Sequence, residues 1–570
     1  MSEQENEGAG LPDQEGAEWP EGISAGEDAV VPADESAIAA MVRKRAEALL
    51  GVDEQKPLDN KFVKQCLDAN ERGDGVLFAT MNRENFRYNV TPRPKDREWL
   101  VWQGHIWAPD NTNRSIAAVE KCALEYQRAA DELAADIEQN GITVKDDDGW
   151  KINLKEKYYK RVSRLRTMGG AGKATAFAPI VDPSMTCEEH DFDKQPWLLP
   201  VKNGVIDLRT GALTSGRPDD MLTRALDIDY DPHADYTPIT TFLDEVSGDP
   251  EISAFIKRYL GYAITGHSYE QHIAVFIGPG RNGKGILFSM LADVMGPYYH
   301  TINRGMIIEQ RNEPSPSSTS EHKYSLLGKR IIVGAETNKG QKIDAAAVKD
   351  LTGDDIIVCR PNFKSEINFL PSHTLFLHTN HIPIGLTKEF SLRQRLLVIE
   401  FPYMYVDDVE AEAKKYPRQA DKFRKKDPYL KEKLKAHRQG MLRWLVEGCR
   451  EWQQQGLSPP QSVIDRVNNL SDEEDYVSQF VADCLVYQEA EPNKPQRRIA
   501  CTSMFDAFKW WWSVNMDSRA RPSMKSINKE LRERGQTVEQ SGGKTWLYNN
   551  TINQEILPEV ADFLNKGEDK

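Results

Sequence analysis

The run GPGRNGKG at residues 278–285 constrains this chain more than any other segment. It fits the spacing GxxxxGK, in which glycines let consecutive backbone N–H groups converge on phosphate oxygens and the lysine adds a positive charge. The apolar run IAVFI precedes it and the helical run ILFSMLADVM follows it, so a helix N-terminus would face the anion. We therefore expect residues 278–285, called the glycine loop below, to bind the phosphates of a nucleotide.

Every position of the glycine loop is a candidate contact, namely Gly278, Pro279, Gly280, Arg281, Asn282, Gly283, Lys284 and Gly285. Gly285 departs from the pattern, because a Ser or Thr after the lysine usually gives its hydroxyl to Mg²⁺. The metal must lose that ligand or replace it with water, since Ser289 lies a helical turn farther on. A similar run at 169–175, GGAGKAT, follows a basic helix instead of a buried strand. We predict a flexible turn there.

Short apolar segments alternate with helical or loop segments between residues 272 and 401. Continuous apolar runs are typical of strands covered on both faces, as in a parallel α/β sheet. The segments predicted to form this sheet are IAVFIG, RIIVGAE, HTLFLHTN and RLLVIEF. The sequence therefore predicts one α/β nucleotide-binding domain around the glycine loop.

Polar residues follow these runs where ligand sites form in parallel sheets. Glu336 ends RIIVGAE and could hold Mg²⁺ or orient the attacking water, although a Glu at a strand end is usually a surface residue. Asn380 ends HTLFLHTN and could orient water or contact the γ-phosphate, or else form a turn. Arg393 and Arg395 follow, and an arginine donated across a subunit interface would stabilise developing negative charge. Alone, either arginine fits a salt-bridging surface residue.

Charge is unevenly placed along the chain. The net charge is −15, but residues 1–35 hold eleven acids and no Lys or Arg, so the remainder is close to neutral. We expect a disordered acidic tail over residues 1–55. The seven scattered cysteines include no CxxC pair, which excludes a zinc ribbon and favours buried thiols. No apolar run is long enough to span a bilayer and no signal pattern opens the chain, so we expect a cytoplasmic protein.

The C-terminal region reads as a small DNA-binding domain. Residues 501–516 predict an aromatic helix, 523–534 a second helix, and GQTVEQSGGKTWLYN two strands, which is the outline of a winged helix. Residues 497–534 hold nine basic and four acidic side chains, a surplus suited to phosphate contacts. A solvated helix face or a protein-binding wing is the alternative. The candidate DNA contacts are Arg521, Lys525 and Lys529, while Trp510, Trp511 and Trp512 fit the core better.

Several linked segments together resemble the superfamily 3 helicases, specifically the phage and plasmid primase–helicase family related to the poxvirus replicative helicase. The resemblance covers roughly residues 60–555. The matching segments are NGVIDLRTGAL, RYLGYAITG, LLGKRIIVGAETN, VKDLTGDDIIVCRPNFKSEINFLPSHTLFLHTNHIP, RQRLLVIEF and GMLRWLVEGCREWQQQGLSPP.

This resemblance implies a ring-forming, usually hexameric ATPase with an AAA+-like core that moves 3′→5′ on single-stranded DNA, using ATP and Mg²⁺. It also implies roles for single residues: Lys284 binds phosphate, Glu336 is the Walker B acid, and Asn380 is the sensor. Arg395 would be the finger reaching a neighbouring subunit; Gln394 replaces a second arginine usual there, and Arg393 could substitute for it. The segment with Arg360 and Lys364 resembles the DNA-contacting pore hairpin.

The expected fold is an α/β P-loop core with a parallel sheet, an α+β domain before it and a winged helix after it. The expected segments are an acidic tail (1–55), a family-specific α+β domain (56–235), the ATPase core (236–405), a helical continuation (406–474) and the winged helix (475–570). We expect no primase catalytic domain, because residues 1–60 are short and acidic.

The leading interpretation is a replicative DNA helicase of a phage, prophage or plasmid that forms a homohexamer and contacts origin DNA through the winged helix. One alternative is an ATP-driven initiator or loader that melts an origin without processive unwinding. Another is a winged-helix DNA-binding protein with a degenerate ATPase, which the missing hydroxyl at Gly285 keeps open.

Overall fold

A computed structural model describes residues 57–90, 97–133, 143–145, 151–309, 320–334, 341–360, 366–380, 382–383, 385–387, 389–474, 476–488, 497–515 and 522–567. The predicted disordered tail, residues 1–55, lies outside these ranges. The chain divides into two compact units. The first contains the described residues up to Asn82 together with Asn111–Asp182, and the second contains Arg83–Asp110 and the residues from Pro183 onwards.

The described chain up to residue 182 is mixed α and β. Its elements are α1 (Asn60–Asp68), α2 (Asn70–Asn82), β1 (Phe86–Asn89), β2 (Glu98–Trp102), β3 (Trp107–Pro109), α3 (Arg114–Ala117), α4 (Val119–Glu132), β4 (Thr143–Lys145), β5 (Lys151–Asn153), α5 (Leu154–Leu165) and α6 (Met168–Val181). Of these, β1, β2 and β3 belong to the second unit and the others to the first.

The prediction of a flexible turn at residues 169–175 is wrong, because these residues form the first half of α6. The side chain of Thr167 caps this helix by accepting from the backbone N–H of Gly170 at 3.1 Å. Glycine also allows α2 and α6 to touch: a Cβ at Gly75 would lie 2.6 Å from the Cβ of Phe177. Small residues here serve close helix packing, which outweighs their weak helix propensity.

A buried ion pair lies inside the first unit. The guanidinium of Arg161 donates to the carboxylate of Asp74 at 2.9 Å, and both side chains are 2% exposed. The hydroxyl of Tyr126 donates to the same carboxylate at 3.0 Å. Burial raises the pKa of Asp74, while Arg161 and Tyr126 act in the opposite direction. Removing one partner would strand a buried charge, so the pair fixes the packing of α2 against α5.

Residues 183–401 build the central part of the second unit. Its elements are β6 (Thr186–Cys187), β7 (Leu198–Val201), β8 (Gly204–Asp207), β9 (Ala212–Thr214), α7 (Thr237–Ser247), α8 (Pro250–Ala263), β10 (Ile273–Ile277), α9 (Lys284–Met295), β11 (Tyr299–Ile302), α10 (Glu321–Tyr324), β12 (Ile331–Gly334), α11 (Ala345–Thr352), β13 (Ile357–Cys359), β14 (Ile367–Phe369), β15 (Thr374–Thr379), α12 (Phe390–Arg393) and β16 (Leu396–Glu400).

A five-stranded parallel sheet organises this region, in the order β11-β12-β15-β10-β16. The predicted strand before the glycine loop is β10, and all five of its side chains are buried. Its neighbours are β15 and β16, paired residue for residue from Ile273↔Leu375 and Ile273↔Leu396. The prediction of a parallel α/β sheet is confirmed, and β11 is a strand that the sequence did not reveal.

The division of the units differs from the predicted domain limit at residue 235. The sheet of β7, β8 and β9 belongs to the same unit as the parallel sheet, because its apolar side chains join the same core. Leu199 and Ile206 are fully buried there with Phe276 of β10. The amide of Gln453 also donates to the carbonyl oxygen of Leu208 at 2.8 Å. Contacts distant in sequence therefore set this boundary.

The remaining chain contains short strands and helices. These elements are β17 (Met404–Val406), α13 (Val409–Lys415), β18 (Phe423–Lys425), α14 (Leu430–Lys435), α15 (Arg438–Gln455), α16 (Gln461–Glu474), α17 (Tyr476–Cys484), β19 (Leu485–Tyr487), β20 (Arg498–Ala500), α18 (Cys501–Asn515), α19 (Met524–Glu533), β21 (Val538–Ser541), β22 (Lys544–Tyr548), β23 (Asn550–Ile552) and α20 (Leu557–Gly567). The region expected to be helical, 406–474, thus begins within a strand pair, β17 and β18.

The last hundred residues have their own aromatic core. Phe480, Phe508 and Trp511 are buried together with Leu531, and the indole N–H of Trp511 donates to Asp483 at 2.8 Å. Trp511 and Trp512 are 2% and 9% exposed, which confirms that they belong to the core. The sheet order there is β20-β22-β21, all antiparallel.

All seven cysteines are buried and free of disulfides, as predicted, and burial raises the pKa of the Cys66 thiol to about 11. None of the helices that the structure describes is both long and apolar enough to cross a membrane. Within the same residues, no cluster of three or more His, Cys, Asp or Glu could hold a metal ion.

Candidate nucleotide-binding site

The glycine loop connects β10 to α9 at the carboxyl edge of the parallel sheet. Gly278 has φ +146°, and a Cβ there would lie 2.2 Å from the carbonyl oxygen of Phe401. Gly283 has φ +93°, and a Cβ there would lie 2.7 Å from Cγ1 of Val246. Any side chain at these two positions would displace backbone or packed core. The two glycines therefore hold the loop close to the sheet, with the N-terminus of α9 directly after it.

Lys284 is the first residue of α9 and is only 4% exposed. Its ammonium donates to the carbonyl oxygen of Gly278 at 2.7 Å and to the amide oxygen of Asn380 at 3.2 Å. Asn380 directly follows β15, so two adjacent strands deliver these partners. A buried ammonium needs oxygen partners, and these oxygens surround the point where the loop would place phosphate.

Asn282 anchors the glycine loop from within. Its side-chain amide donates to the carbonyl oxygen of Phe401 at 3.2 Å, and its amide oxygen accepts a long 3.4 Å contact from the backbone N–H of Lys284. Asn282 is 3% exposed. Since Phe401 directly follows β16, the loop is tied to the strand on the other side of β10.

Gly285, the departure from the expected pattern, lies at an open position. It is exposed, its φ is outside the positive region, and no atom lies within 4 Å of an added Cβ. A hydroxyl side chain would therefore fit here without strain. The donor set of the loop suits phosphate oxygens, and the open position leaves room for water as a ligand of Mg²⁺.

Three of the candidate residues, Glu336, Lys364 and Arg521, lie outside the described residues. For Glu336 the preceding strand is informative, because β12 ends at Gly334 and pairs with β15. The strand that leads to Glu336 is thus separated from β10 by the strand that leads to Asn380.

Arg395 lies at the opposite edge of the sheet from Lys284. It immediately precedes β16, and its carbonyl oxygen accepts from the N–H of Ile273 at the start of β10. The five residues of β10 separate the two edges by roughly 16 Å at 3.3 Å per residue. The Arg395 guanidinium donates to Thr352 Oγ1 at 3.0 Å and to the Lys349 carbonyl oxygen at 3.1 Å. The structure therefore does not bring Arg395 to the glycine loop of its own chain.

Arg393 is likewise directed elsewhere, since its guanidinium donates to Asn468 of α16 at 3.0 Å. The two arginines therefore take different partners within the chain, and Arg395 alone is held against the C-terminal end of α11.

A hairpin carries the predicted pore residues. Its strands β13 and β14 pair antiparallel, and its tip, residues 361–365, is outside the described part. Arg360 is exposed; its backbone N–H donates to the Ser320 hydroxyl at 2.8 Å, and its carbonyl oxygen accepts from the Ser320 N–H at 3.0 Å. The hairpin exposes the apolar side chain of Val358, and Ile356 and Leu370 are exposed next to its strands.

Helix α19, in the C-terminal region, presents basic side chains on one face. Ser523 caps the helix, accepting from the N–H of Ser526 at 3.2 Å, as the sequence predicted. Lys525, Lys529 and Arg532 are exposed and spaced three and four residues apart, so they share a face. Ile527 and Leu531 bury the opposite face.

A cavity beside the glycine loop was not anticipated from the sequence. It measures about 490 Å³ and is lined by Gly280 and Arg281, by residues of β17, α13 and β18, and by Tyr416, which directly follows α13. Its walls come from residues about twenty positions apart that pair in two three-residue strands. Such short strands leave no periodic signal; only the aromatic content of the segment distinguishes it.

Two family models match the chain. A model described as D5 N terminal like matches residues 76–248. A model of a family of unknown function matches residues 276–395, which include the glycine loop and Arg395.

Several viral proteins are similar to the chain. "Putative helicase L207/L206" of Acanthamoeba polyphaga mimivirus is 25% identical over 66% of this chain and 40% of its own length. "Putative helicase V13" of Sputnik virophage is 27% identical over 39% of this chain and 30% of its own length. "Putative primase C962R" of African swine fever virus (isolate Tick/Malawi/Lil 20-1/1983) is 25% identical over 33% and 20%. The chain thus spans well under half the length of these relatives.

Among solved structures, the apo C-terminal region of NrS-1 superposes with a TM-score of 0.34 at 12% identity. The superposition covers 58% of this chain and 80% of that one. This score is too low to assign a common fold.

Proposed function

Because the chain belongs to the family of phage and viral primase–helicases, we propose that it is an ATP-dependent DNA helicase of phage, prophage or plasmid replication. The observation that carries this proposal is the position of Lys284, buried between the glycine loop and Asn380 at the carboxyl edge of the sheet. Ligands of open α/β sheets bind at that edge. The enzyme would act in the cytoplasm of the bacterial or infected cell.

The glycine loop and Lys284 would bind the β- and γ-phosphates of ATP. Backbone N–H groups at the start of α9 add the positive end of the helix dipole. Mg²⁺, when bound, neutralises phosphate charge, and Glu336 is the carboxylate proposed to hold it. Asn380 would orient the attacking water or contact the γ-phosphate, since its amide oxygen already accepts from Lys284.

The position of Arg395 supports a ring assembly, which we propose to be a homohexamer. An arginine at the amino edge of the sheet cannot serve the glycine loop of its own chain, which is at the carboxyl edge. A neighbouring subunit whose glycine loop faced that edge would receive it as an arginine finger. Heterologous contacts of this kind close into rings when the rotation is suitable.

Two regions are proposed to contact DNA. Arg360 and Lys364 belong to the hairpin expected to track single-stranded DNA. In the C-terminal region the two successive helices α18 and α19, the antiparallel strands β21 and β22 that follow them, and the exposed basic face of α19 support a winged helix that binds origin DNA.

Measuring ATP hydrolysis with and without single-stranded DNA tests the proposal. We expect stimulation by DNA, loss of turnover by at least about 100-fold in Lys284→Ala, and unchanged turnover in Lys342→Ala, which alters an exposed lysine paired with Glu309. Displacement of a strand from a 3′-tailed duplex, absent with a 5′-tailed one, and the mass of a six-subunit particle complete the prediction. ATP turnover unaffected by Lys284→Ala would contradict it.

The alternative functions differ in measurable ways. An origin-melting initiator or loader would hydrolyse ATP but displace no long strand. A winged-helix protein with a degenerate ATPase would bind DNA and turn over almost no ATP, and the missing hydroxyl at Gly285 is the observation that favours it. The expectation of no primase domain stays a prediction, since one relative is named a primase but is matched over only 20% of its length.

A further inference from the structure

The cavity beside the glycine loop lies where a nucleotide bound by its phosphates would continue. We infer that it holds the base and ribose of that nucleotide, with Tyr416 as the aromatic wall against the base. This inference rests on the proposed function, because it presumes phosphates at Lys284. Its volume, about 490 Å³, falls within the range of small-molecule sites.

One part of the cavity wall is apolar and aromatic. Met404 and Val406 project from β17, and Phe423 begins β18; the two strands are paired in parallel from Met404↔Phe423 to Val406↔Lys425. Val406 and Phe423 are 8% and 4% exposed. The chain that connects the two strands consists of α13 and the turn Pro417–Lys422. Because the strands pair, this connection forms a loop beside the cavity.

The cavity is joined directly to the glycine loop. The N–H of Tyr405 donates to the carbonyl oxygen of Arg281 at 2.9 Å. Arg281 has φ +62°, a left-handed conformation unusual for a residue with a side chain. The Tyr405 hydroxyl donates to the carbonyl oxygen of Glu245 at the end of α7. The wall of the cavity therefore fixes the loop backbone, and the two parts behave as one site.

The distribution of charged residues along the cavity favours one orientation of a bound nucleotide. Asp407, Asp408 and Glu412 line the cavity, whereas Arg281 lines it at the loop end, three residues before Lys284 in the chain. Two lysines lie close to the acidic end: Lys426 is 3.8 Å from the Asp407 carboxylate, and Lys425 donates to the Asp407 carbonyl oxygen. The carboxylates repel phosphate and can accept hydrogen bonds from ribose hydroxyls or a base amino group. A nucleotide would thus enter with its phosphates at Lys284 and its nucleoside in the cavity.

Tyr416 is the side chain placed to stack on a base. It remains 46% exposed although it lines the cavity, and its ring centroid lies 6.4 Å from that of the buried Phe423. The Lys415 ammonium lies 5.0 Å from its centroid and helps to hold the ring. An exposed aromatic face next to a phosphate site is the usual partner of a nucleobase, since every base has a stacking surface.

Equilibrium binding of ATP and of inorganic tripolyphosphate to the full chain, both with Mg²⁺, tests the inference. Tripolyphosphate reports on the glycine loop alone, whereas ATP also requires the cavity. We expect the wild-type chain to bind ATP at least about tenfold more tightly than tripolyphosphate. Tyr416→Ala should lose most of that difference without changing tripolyphosphate affinity. Tyr416→Phe should keep it, and Tyr429→Ala, which alters an exposed tyrosine outside the cavity lining, should be unchanged.

A direct mapping experiment supplements the variants. Photolabelling with 8-azido-ATP, competed by ATP, should modify peptides within residues 404–423. Labelling confined to other peptides, or equal affinity of the wild-type chain for ATP and tripolyphosphate, would overturn the cavity assignment and leave the phosphate site standing. A chain that binds neither ligand would overturn the nucleotide site and this inference together.

Discussion

Lys284 and Asn380 meet at the carboxyl edge of the parallel sheet, where the Lys284 ammonium donates to the Asn380 amide oxygen at 3.2 Å across 96 positions of sequence. A γ-phosphate drawn to Lys284 would lie beside Asn380. The contact therefore joins the element that binds the nucleotide to the one proposed to sense it.

Replacing Asn380 should separate binding from turnover. Asn380→Ala removes the amide but leaves Lys284 its bond to Gly278, so ADP affinity should change by no more than about threefold. The turnover number should fall roughly 100-fold, the usual effect of losing one positioned polar group in a transition state. Steady-state ATPase kinetics and ADP binding check both. A wild-type turnover number would remove Asn380 from the proposed mechanism.

Arg395 should act on the neighbouring subunit. Arg395→Ala and Lys284→Ala are each expected to be inactive alone. Mixed rings combine a wild-type Lys284 on one subunit with a wild-type Arg395 on the next at about a quarter of interfaces, so a 1:1 mixture should recover up to about a quarter of the turnover.

The matched control for Arg395 is Thr352→Val. This change removes the hydroxyl that accepts from Arg395 but keeps the guanidinium, so it should cost about 1 kcal/mol of stability and retain turnover. A mixture as inactive as its components would show that Arg395 does not act across an interface.

Gly285 should accept the missing hydroxyl. The added Cβ meets nothing within 4 Å, and both Gly285→Ser and Gly285→Ala should gain up to about 1 kcal/mol of stability from the lower backbone entropy of the unfolded chain. Only Gly285→Ser should also lower the Mg²⁺ concentration that half-saturates ATP turnover. Thermal midpoints and Mg²⁺ titrations distinguish the two effects. Equal Mg²⁺ dependence in both variants would mean that the metal is not bound near this position.

Local signals predicted the glycine loop and its flanking strand and helix. The five successive apolar residues of β10 and the spacing of Gly278 and Gly283 are patterns within a few residues of the loop. The contacts that require these two glycines, with Phe401 and with Val246, are made by residues distant in sequence. Asn380 and Arg395 could be placed at strand ends because parallel strands have defined edges. The sequence did not show that these two residues lie at opposite edges of the sheet. That conclusion depends on Asn380 following its strand and Arg395 preceding its own.

Packing between distant segments explains what the sequence did not reveal. The glycines of residues 169–175 suggested a turn, but they form the first half of α6, and Phe177 farther along that helix packs closely against Gly75. The cavity near Tyr416 depends on the pairing of two three-residue strands. The unit boundary is set by side chains such as Leu199 that enter the core around the parallel sheet. None of these contacts leaves a periodic pattern.

Acid should destabilise the chain through His373. Burial lowers the pKa of His373 to about 4 from an ordinary 6.5, although Nε2 donates to the Leu351 carbonyl oxygen at 3.1 Å. Below pH 6.5 the unfolded chain binds a proton that the folded chain does not bind until about pH 4. As the pH is lowered through this window, the free energy of unfolding should therefore decrease, by about 1.4 kcal/mol per pH unit at most. The contribution of His373 should not change with pH above pH 7.

Denaturant unfolding at pH 7 and pH 5 checks the role of His373. His373→Gln can keep a donor to Leu351 but cannot titrate, so it should lose less stability between these values, by up to about 2 kcal/mol. His233→Gln changes an exposed histidine and should behave like the wild-type chain. Identical acid sensitivity in His373→Gln would assign the pH dependence to other groups.

The basic face of α19 should set the salt dependence of DNA binding. Lys525 and Lys529 are exposed, and Lys529 has only a 3.6 Å surface contact with Glu533, which contributes little in water. If both lysines neutralise phosphates of duplex DNA, Lys525→Ala with Lys529→Ala should lower the slope of log K against log salt by about 2. Basal ATP turnover should not change, because these lysines take no part in the proposed nucleotide site. Lys61→Ala in the first unit, equally exposed, should leave the slope intact, and an unchanged slope in the double variant would make the face a solvated one.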